Sequence, residues 1–227
     1  MTGISAKRFN SKERGGDKGM KITWIGHSCF KIEQNGYSII TDPYEDGYVP
    51  GLKKLREKAN MVLCSHEHGD HNARSLVKTI PAEQCPFRIT KLETWHDDVK
   101  GAKRGPNTIH IIESGGIRIA HLGDLGCMPE KDQIEALKGL SVCLIPVGGH
   151  YTIDARQAAE LIREINPETV IPMHYRDDKK GFGFDVIGTA GTFTELMDSV
   201  CVLNENTIDT EDLPDPKVIV LVPRDVR

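Results

Sequence analysis

The eight-residue stretch Ser65–Asn72, SHEHGDHN, carries the most specific information in this chain. It places four side chains of the metal-ligand type within six consecutive positions: His66, His68, Asp70 and His71. Imidazole and carboxylate are the usual ligands of zinc and of the metals that resemble it. Because so short a loop cannot turn all four side chains toward one tetrahedral ion without strain, the pattern suggests two neighbouring ions. The alternative is a polar surface loop that merely contains histidines.

The residues on either side of this loop predict a strand before it and a helix after it. Met61–Cys64 is a short apolar run, which favours a buried strand and disfavours the surface-loop alternative. The apolar spacing over Ala73–Ile80 suits a helix that Asp70 or Asn72 could cap. The histidines would then lie at the carboxyl end of a strand, where open α/β sheets place their ligand crevices.

Length and composition indicate one globular domain. A chain of 227 residues can bury a substantial core, and 38% hydrophobic with 27% charged residues is ordinary for such a protein. The net charge of −4 argues against a surface built for nucleic acid or anionic membrane. No C-x-x-C pair, signal peptide or apolar run of about 18 residues is present. We therefore expect a cytoplasmic protein with free thiols.

The first nineteen residues differ from the rest. Residues 1–19 are polar and rich in Gly and Lys, and we predict a disordered leader. Arg14-Gly15-Gly16 lies a few codons before Met20 and is what translation of a purine-rich ribosome-binding site would give. This raises the hypothesis that Met20 is the true start, with a single domain over residues 20–227.

From Met20 onward the pattern predicts strands first, and then strands that alternate with helices. Strands are predicted at 21–25, 29–33, 37–41, 87–90, 108–112, 117–122, 142–146, 169–173 and 218–222. Helices are predicted at 129–137, at 155–165 with Asp154 as the N-cap, and at 192–197. This order of elements predicts two packed sheets with helices outside them, an α/β architecture.

A site for two ions needs more ligands than the loop supplies, and three later residues have suitable chemistry. His96 stands in the run TWHDD, while Asp124 and His174 each follow a predicted strand. We expect all three to converge on the sheet edge that carries His66.

With these residues in this order, the chain resembles the metallo-β-lactamase-fold hydrolases. The family motif H-x-H-x-D-H falls on residues 66–71, and single His, Asp and His positions follow in the family's order. The resemblance covers residues 20–227. The segments WIGHS (24–28), GGHYTID (148–154) and PMHY (172–175) look like the compact bacterial branch that includes relatives of L-ascorbate-6-phosphate lactonase.

The resemblance implies a four-layer αββα sandwich that holds two divalent ions, zinc first, with manganese, iron and nickel left open. It assigns His66, His68 and His96 to the first ion, Asp70, His71 and His174 to the second, and Asp124 to both. A hydroxide between the ions would attack a carbonyl carbon or a phosphorus atom. Asp70 would orient this nucleophile and later shuttle a proton, which makes it the candidate catalytic residue.

Five further residues are candidates for contact with substrate or for support of the ligands: His27, Asp42, His150, Arg104 and Arg176. His27 and His150 follow predicted strands beside glycines, although structural turn histidines are the alternative. Asp42 ends a strand and is expected to hold a ligand imidazole by its N–H. The two arginines belong to Lys/Arg clusters that follow His96 and His174, and they suit a phosphate or carboxylate. Solvated surface charge is the alternative for both clusters.

These observations favour a metal-dependent hydrolase acting on a small anionic ester, lactone or phosphodiester. A nuclease or phosphodiesterase acting on nucleic acid is one alternative, which the acidic net charge disfavours. A metal-binding or sensing protein with little turnover is another, which the intact ligand set disfavours. We expect a small-molecule substrate and neither nucleic acid nor membrane as a partner.

Overall fold

The computed structural model describes residues 19–215 and 217–226, so the predicted leader, apart from Gly19, lies outside the described residues. The strands are β1 (Lys21–Gly26), β2 (Cys29–Gln34), β3 (Tyr37–Thr41), β4 (Glu57–Ala59), β5 (Met61–Leu63), β6 (Val77–Thr79), β7 (Arg88–Trp95), β8 (Pro106–Ser114), β9 (Ile117–His121), β10 (Val142–Pro146), β11 (Thr169–Met173), β12 (Val200–Val202), β13 (Thr207–Asp209) and β14 (Val218–Val220). The α-helices are α1 (Lys131–Ala136), α2 (Ala155–Ile165) and α3 (Ala190–Thr194). None of the described helices has the length and apolar character needed to cross a bilayer.

Two large sheets form the framework. The first sheet has the strand order β13-β1-β2-β3-β5, and the second has the order β12-β14-β11-β10-β9-β8-β7. β1, β2 and β3 form an antiparallel meander, as the sequence predicts, whereas β9, β10, β11, β14 and β12 run parallel. A separate parallel pair joins β4 to β6.

One apolar core lies between the two large sheets. Trp24 of β1 contacts Tyr175, which follows β11, with ring centroids 5.3 Å apart. Phe30 of β2 meets the ring of His121 of β9 at 6.0 Å, and His121 Nε2 lies 2.8 Å from the carbonyl oxygen of Ser28. These contacts fix how the two sheets face each other, and they lie close to the strand ends that carry the candidate site.

The helix α2 confirms its prediction. Its apolar side chains at 155, 158, 159, 161, 162 and 165 are buried, as a helical period requires. Asp154 caps it by accepting hydrogen bonds from the N–H groups of Arg156 and Gln157, both at 2.9 Å. α2 contacts both α1 and α3, and the predicted α/β architecture with two large sheets is confirmed.

The predicted helix after the histidine loop is wrong. Arg74–Leu76 forms one turn of 3-10 helix without a side-chain cap, and the chain then enters β6. Val77 and Thr79 are β-branched residues that favour a strand, and β4 supplies a partner for pairing. Pairing with β4 therefore determines the structure of this segment, and the local apolar spacing does not. The helix predicted at 192–197 begins and ends earlier, as α3.

Candidate metal centre

The candidate site lies where strands from both sheets end. The histidine loop follows β5 of the first sheet, whereas His96, Asp124 and His174 follow β7, β9 and β11 of the second sheet. The sequence predicted convergence on one sheet edge. The structure corrects this, because the ligand-type residues come from two facing sheets and meet between them.

The first group consists of His66, His68 and His96. One ring nitrogen of each lies within 4.8 Å of those of the others, close enough to hold one ion. The ring centroids of His66 lie 4.5 Å from His68 and 4.6 Å from His96. His66 and His96 are buried, whereas His68 is exposed. These are the three residues that the sequence assigns to the first ion.

The second group consists of His27, Asp70, His71 and His174, whose ligand atoms also lie within 4.8 Å of one another. The sequence assigned three of these residues to the second ion and treated His27 as a candidate for substrate contact or support. The structure places His27 inside the group instead of beside it.

Asp124 lies between the two groups. Its Oδ2 atom is 3.4 Å from Nε2 of His96 in the first group. The same oxygen is 3.2 Å from Nε2 of His71 and 3.1 Å from Nε2 of His174 in the second group. One carboxylate oxygen thus faces both groups, which is the position that the sequence assigned to a bridging ligand.

The glycine before this aspartate is required by close packing. Gly123 has φ +56°, and a Cβ atom there would lie 2.4 Å from Oδ1 of Asn107 and 2.4 Å from Cβ of Ser65. Asn107 Oδ1 also accepts a hydrogen bond from the backbone N–H of Asp124 at 2.9 Å. A bare backbone at position 123 therefore lets the second sheet approach the histidine loop.

Asp42 supports one imidazole in each group. Its Oδ2 atom lies 2.8 Å from Nδ1 of His71 and accepts a hydrogen bond from Ser65 Oγ at 2.6 Å. Because the hydroxyl proton of Ser65 points to Asp42, its oxygen accepts from Nδ1 of His66 at 2.9 Å. When neutral, both imidazoles would therefore carry their proton on Nδ1 and turn an unprotonated Nε2 toward the site.

The electrostatics of the site favour neutral imidazoles at His66 and His27 and positive charge at His71. Burial, with help from His71, lowers the pKa of His66 to about 3, and burial next to His174 lowers the pKa of His27 to about 4. Burial alone would lower the pKa of His71, but the carboxylates of Asp124, Asp70 and Asp42 outweigh it and raise that pKa well above its ordinary value. Positive charge is therefore attracted to the position that His71 occupies.

Unpaired buried atoms show that this donor set fits divalent ions. Several atoms of the two groups are buried and have no hydrogen-bond partner among the described residues: Nε2 of His27, His66, His71 and His174, and Oδ1 of Asp124. Buried polar atoms are normally paired, so a cluster of unpaired imidazole nitrogens and carboxylate oxygens is what a metal-binding site would present. These donor types suit zinc, manganese, iron or nickel.

A cavity of about 260 Å³ opens onto both groups. His68 and His96 of the first group, Asp70 of the second group and Asp124 line it, and so do four residues from surrounding loops: Tyr48, Arg104, Tyr151 and Phe184. The sequence did not single out the three aromatic residues, whose one signal is that each stands near glycine in a loop. Both groups can therefore be reached by a small molecule.

Arg104 is fixed at the wall of this cavity. Its guanidinium lies 5.5 Å from the ring centroid of Tyr151 and donates to the carbonyl oxygen of His150 at 3.1 Å. The loop before it is organised by Asp97, whose carboxylate accepts four backbone N–H groups, including that of Arg104 at 2.7 Å. The cation is thus held at a defined place.

Two other candidate residues do not enter the cavity. Arg176 donates from Nε to the carbonyl oxygen of Ile187 at 2.7 Å and pairs with Asp178, so its charge is used locally. The side chain of His150 is exposed and is not part of the cavity wall, although its backbone carbonyl holds Arg104. The sequence could not separate these arginines because both follow ligand histidines in polar loops.

Known proteins resemble this chain in sequence and in fold. The Beta-lactamase superfamily domain matches residues 21–174. A UPF0173 metal-dependent hydrolase from Pelotomaculum thermopropionicum is 30% identical, with 69% of this chain and 84% of the relative covered. The crystal structure of a protein from Thermotoga maritima, assigned to the Zn-dependent hydrolases of the metallo-beta-lactamase superfamily, has 33% identity and a TM-score of 0.69, covering 89% of this chain and 98% of that one. A metallo hydrolase from Ignicoccus hospitalis, at 24% identity and a TM-score of 0.56 over 78% of this chain and 90% of its own, shares the fold.

Proposed function

Because the chain belongs to the metallo-β-lactamase superfamily, we propose that it is a metal-dependent hydrolase that uses two divalent ions to cleave a small anionic ester, lactone or phosphodiester. The observation that carries this proposal is the shared position of Asp124. One of its oxygens faces both ligand groups at the floor of a cavity large enough for a small molecule.

The ions and the side chain of Asp70 would have different roles in the reaction. When bound, the two ions would supply a hydroxide nucleophile near neutral pH and neutralise the negative charge that develops on the substrate. Asp70 lines the cavity, and the neighbouring imidazoles of His71 and His27 outweigh its burial and keep its pKa low. As an ionised carboxylate it would orient the attacking solvent by accepting its hydrogen bond, and would pass a proton toward the leaving group.

The cavity wall supports an anionic substrate. Arg104 places a fixed positive charge beside the ligand groups. A guanidinium there can bind a carboxylate or a phosphate through two parallel hydrogen bonds. Tyr48, Tyr151 and Phe184 would exclude water from the rest of the molecule. Phosphorylated sugar lactones would be the first compounds to test, since the segments at 24–28, 148–154 and 172–175 look like those of the branch that includes relatives of L-ascorbate-6-phosphate lactonase.

The choice of metal and of partner is part of the same proposal. Three imidazoles in the first group favour zinc, and the mixed carboxylate and imidazole donors of the second group also suit manganese, iron or nickel. The net charge of −4 and the size of the cavity support a small molecule of the cytoplasm over a nucleic acid or a membrane surface.

A panel of substrates tests the proposal. Chromogenic esters, lactones and bis-phosphodiesters would be offered to the protein loaded with Zn²⁺ or Mn²⁺, with single-stranded RNA and DNA as a second arm. We expect turnover of at least one small anionic class, its loss on chelation and its return when metal is added back. Turnover of nucleic acid alone would favour the nuclease alternative. A fully metal-loaded protein that turns over neither arm would favour a sensing role.

A further inference from the structure

His27 is a buried imidazole whose two ring nitrogens have no hydrogen-bond partner among the described residues. It lies outside the set of seven residues that the family motifs assign to the ions. One of its ring nitrogens nevertheless lies within 4.8 Å of the ligand atoms of Asp70, His71 and His174. A core histidine would normally satisfy at least one of its nitrogens, so the position of His27 calls for another explanation.

The distances between donor atoms in the second group explain the position of His27. His27 Nε2 lies 3.4 Å from Asp70 Oδ2, beyond the span of about 2.7–3.2 Å of an ordinary N–H···O hydrogen bond. Two atoms that each lie about 2.1 Å from one ion stand about 3.0 Å apart at a right angle and about 3.4 Å apart at a tetrahedral angle. The separation between His27 and Asp70 therefore matches two ligands of one ion.

The other donors of the second group show the same spacing. His71 Nε2 lies 3.5 Å from Asp70 Oδ2 and 3.2 Å from Asp124 Oδ2, and His174 Nε2 lies 3.1 Å from Asp124 Oδ2. His27 is thus related to Asp70 as His71 is, and His71 is a ligand in the family pattern.

The fold holds His27 in this place from its backbone. The residue has φ +54°, a left-handed conformation that only a built turn maintains. Its carbonyl oxygen accepts a hydrogen bond from the indole Nε1 of Trp24 at 2.9 Å and faces the N–H of His174 at 3.4 Å. Its ring packs against that of His174 at a tilt, with centroids 4.2 Å apart, and lies edge-on to Phe184 at 5.6 Å. The imidazole is buried, and one of its ring nitrogens lies among the ligand atoms of the second group.

We propose that His27 is a fourth side-chain ligand of the second ion. With Asp124 added, the second ion then has five protein donors and the first has four, so the two ions are not equivalent. The second ion would be the more tightly held and would have a coordination number above four, which octahedral ions such as Mn²⁺ and Fe²⁺ accept readily. This inference concerns metal binding and stands apart from the choice of substrate.

Metal binding to the chelator-stripped protein tests the inference without an activity assay. Competition against a coloured chelator would give the two dissociation constants for Zn²⁺ in wild type, His27→Ala and His27→Gln. His110→Ala is the matched control, because His110 is also a buried imidazole but belongs to neither group. We expect His27→Ala to weaken one site by about 100-fold or more, since even partners outside the ligand shell change metal affinity by about 10- to 100-fold. The other site should change by less than threefold, and the control should match wild type at both sites.

His27→Gln separates a ligand from a hydrogen-bond donor. Its amide nitrogen can replace Nε2 as a donor to Asp70, but it is a poor metal ligand. If His27 only positions Asp70, the glutamine variant will bind both ions as wild type does, and the proposal is overturned. If His27 is a ligand, both variants will bind metal more weakly at the same site. The visible absorption of the Co²⁺-loaded variants will then intensify, because the coordination number of the second ion falls. If His27→Ala fails to fold, His27→Gln alone decides whether His27 is a ligand.

Discussion

Replacing Asp42 by Asn should weaken both metal sites at once, because this one carboxylate supports an imidazole in each group. The substitution keeps the size of the side chain and removes its charge. One oxygen can still accept the N–H of Ser65, as Oδ1 of Asp42 does at 2.7 Å. The amide NH₂ must then take the place of Oδ2, which now serves Ser65 Oγ and His71 Nδ1.

The consequences at the two groups follow from this exchange. At His71 an NH₂ group faces a ring N–H, so two donors meet and the orientation of the imidazole is lost. At Ser65 the NH₂ donates to the hydroxyl, which turns its own proton toward Nδ1 of His66. The proton of His66 then moves to Nε2, the atom that should bind the ion.

The expected loss of metal affinity can be estimated from other proteins in which a side chain that orients a metal-binding histidine is removed. Loss of a group that orients a metal-binding histidine lowers affinity by about 10- to 100-fold, or about 1.4–2.7 kcal/mol, and here each site should lose that much. Chelator competition on the stripped protein would measure both dissociation constants.

Ser65→Ala provides the contrast. It removes only the link between Asp42 and His66, so it should weaken the first site and leave the second within about threefold. The reasoning is refuted if Asp42→Asn binds both ions with wild-type affinity, or if Ser65→Ala weakens both sites to the same extent. Far-UV circular dichroism of the stripped variants would show that the fold is retained.

Four further outcomes are expected. Elemental analysis of protein purified without chelator should approach two metal equivalents, and a clean single equivalent under metal-replete conditions would contradict the dinuclear site. Asp124→Asn should lose metal and turnover together, since the amide cannot offset the repulsion between two cations. Arg104→Glu should raise KM for anionic substrates much more than for neutral analogues of equal size, whereas Lys103→Glu, an exposed neighbour, should not; equal effects on both substrate types would make Arg104 ordinary surface charge. Asp154→Ala should remove the cap of α2 and cost about 1 kcal/mol, which lowers Tm by about 2–4 °C, while the exposed Glu160→Ala should leave Tm within a degree or so in a calorimeter.

The sequence predicted most where local pattern and chemistry pointed the same way. Strand periodicity located the sheets, and the rule that ligands follow strands placed Asp124 and His174 at the site. Asp42 could be inferred as a support because it ends a strand on the edge where the histidines were expected, and a carboxylate there can hold a ligand imidazole by its N–H. These predictions needed only knowledge of which residue follows which strand.

What the sequence missed depended on distances between facing sheets. His27 was predicted to contact substrate or to support the ligands, because nothing in its sequence neighbourhood shows that His174 of the other sheet lies against it. Arg104 and Arg176 have similar surroundings in the sequence, and only the folded loops show that one faces the cavity and the other pairs with Asp178. The helix predicted after the histidine loop failed for a similar reason, since β4 as a pairing partner is not visible in the apolar spacing.

Because β1 pairs with β13, the first sheet cannot be completed until β13 has been synthesised. Lys21, Ile22 and Thr23 pair with residues 209, 208 and 207, although β1 and β13 are separated by nearly the whole chain. While a ribosome is still producing the segment between them, the outer side of β1 has unpaired N–H and C=O groups, which invite pairing with other chains. A nascent chain that stalls before β13 therefore presents an open strand edge on β1, which β13 covers once it has been made.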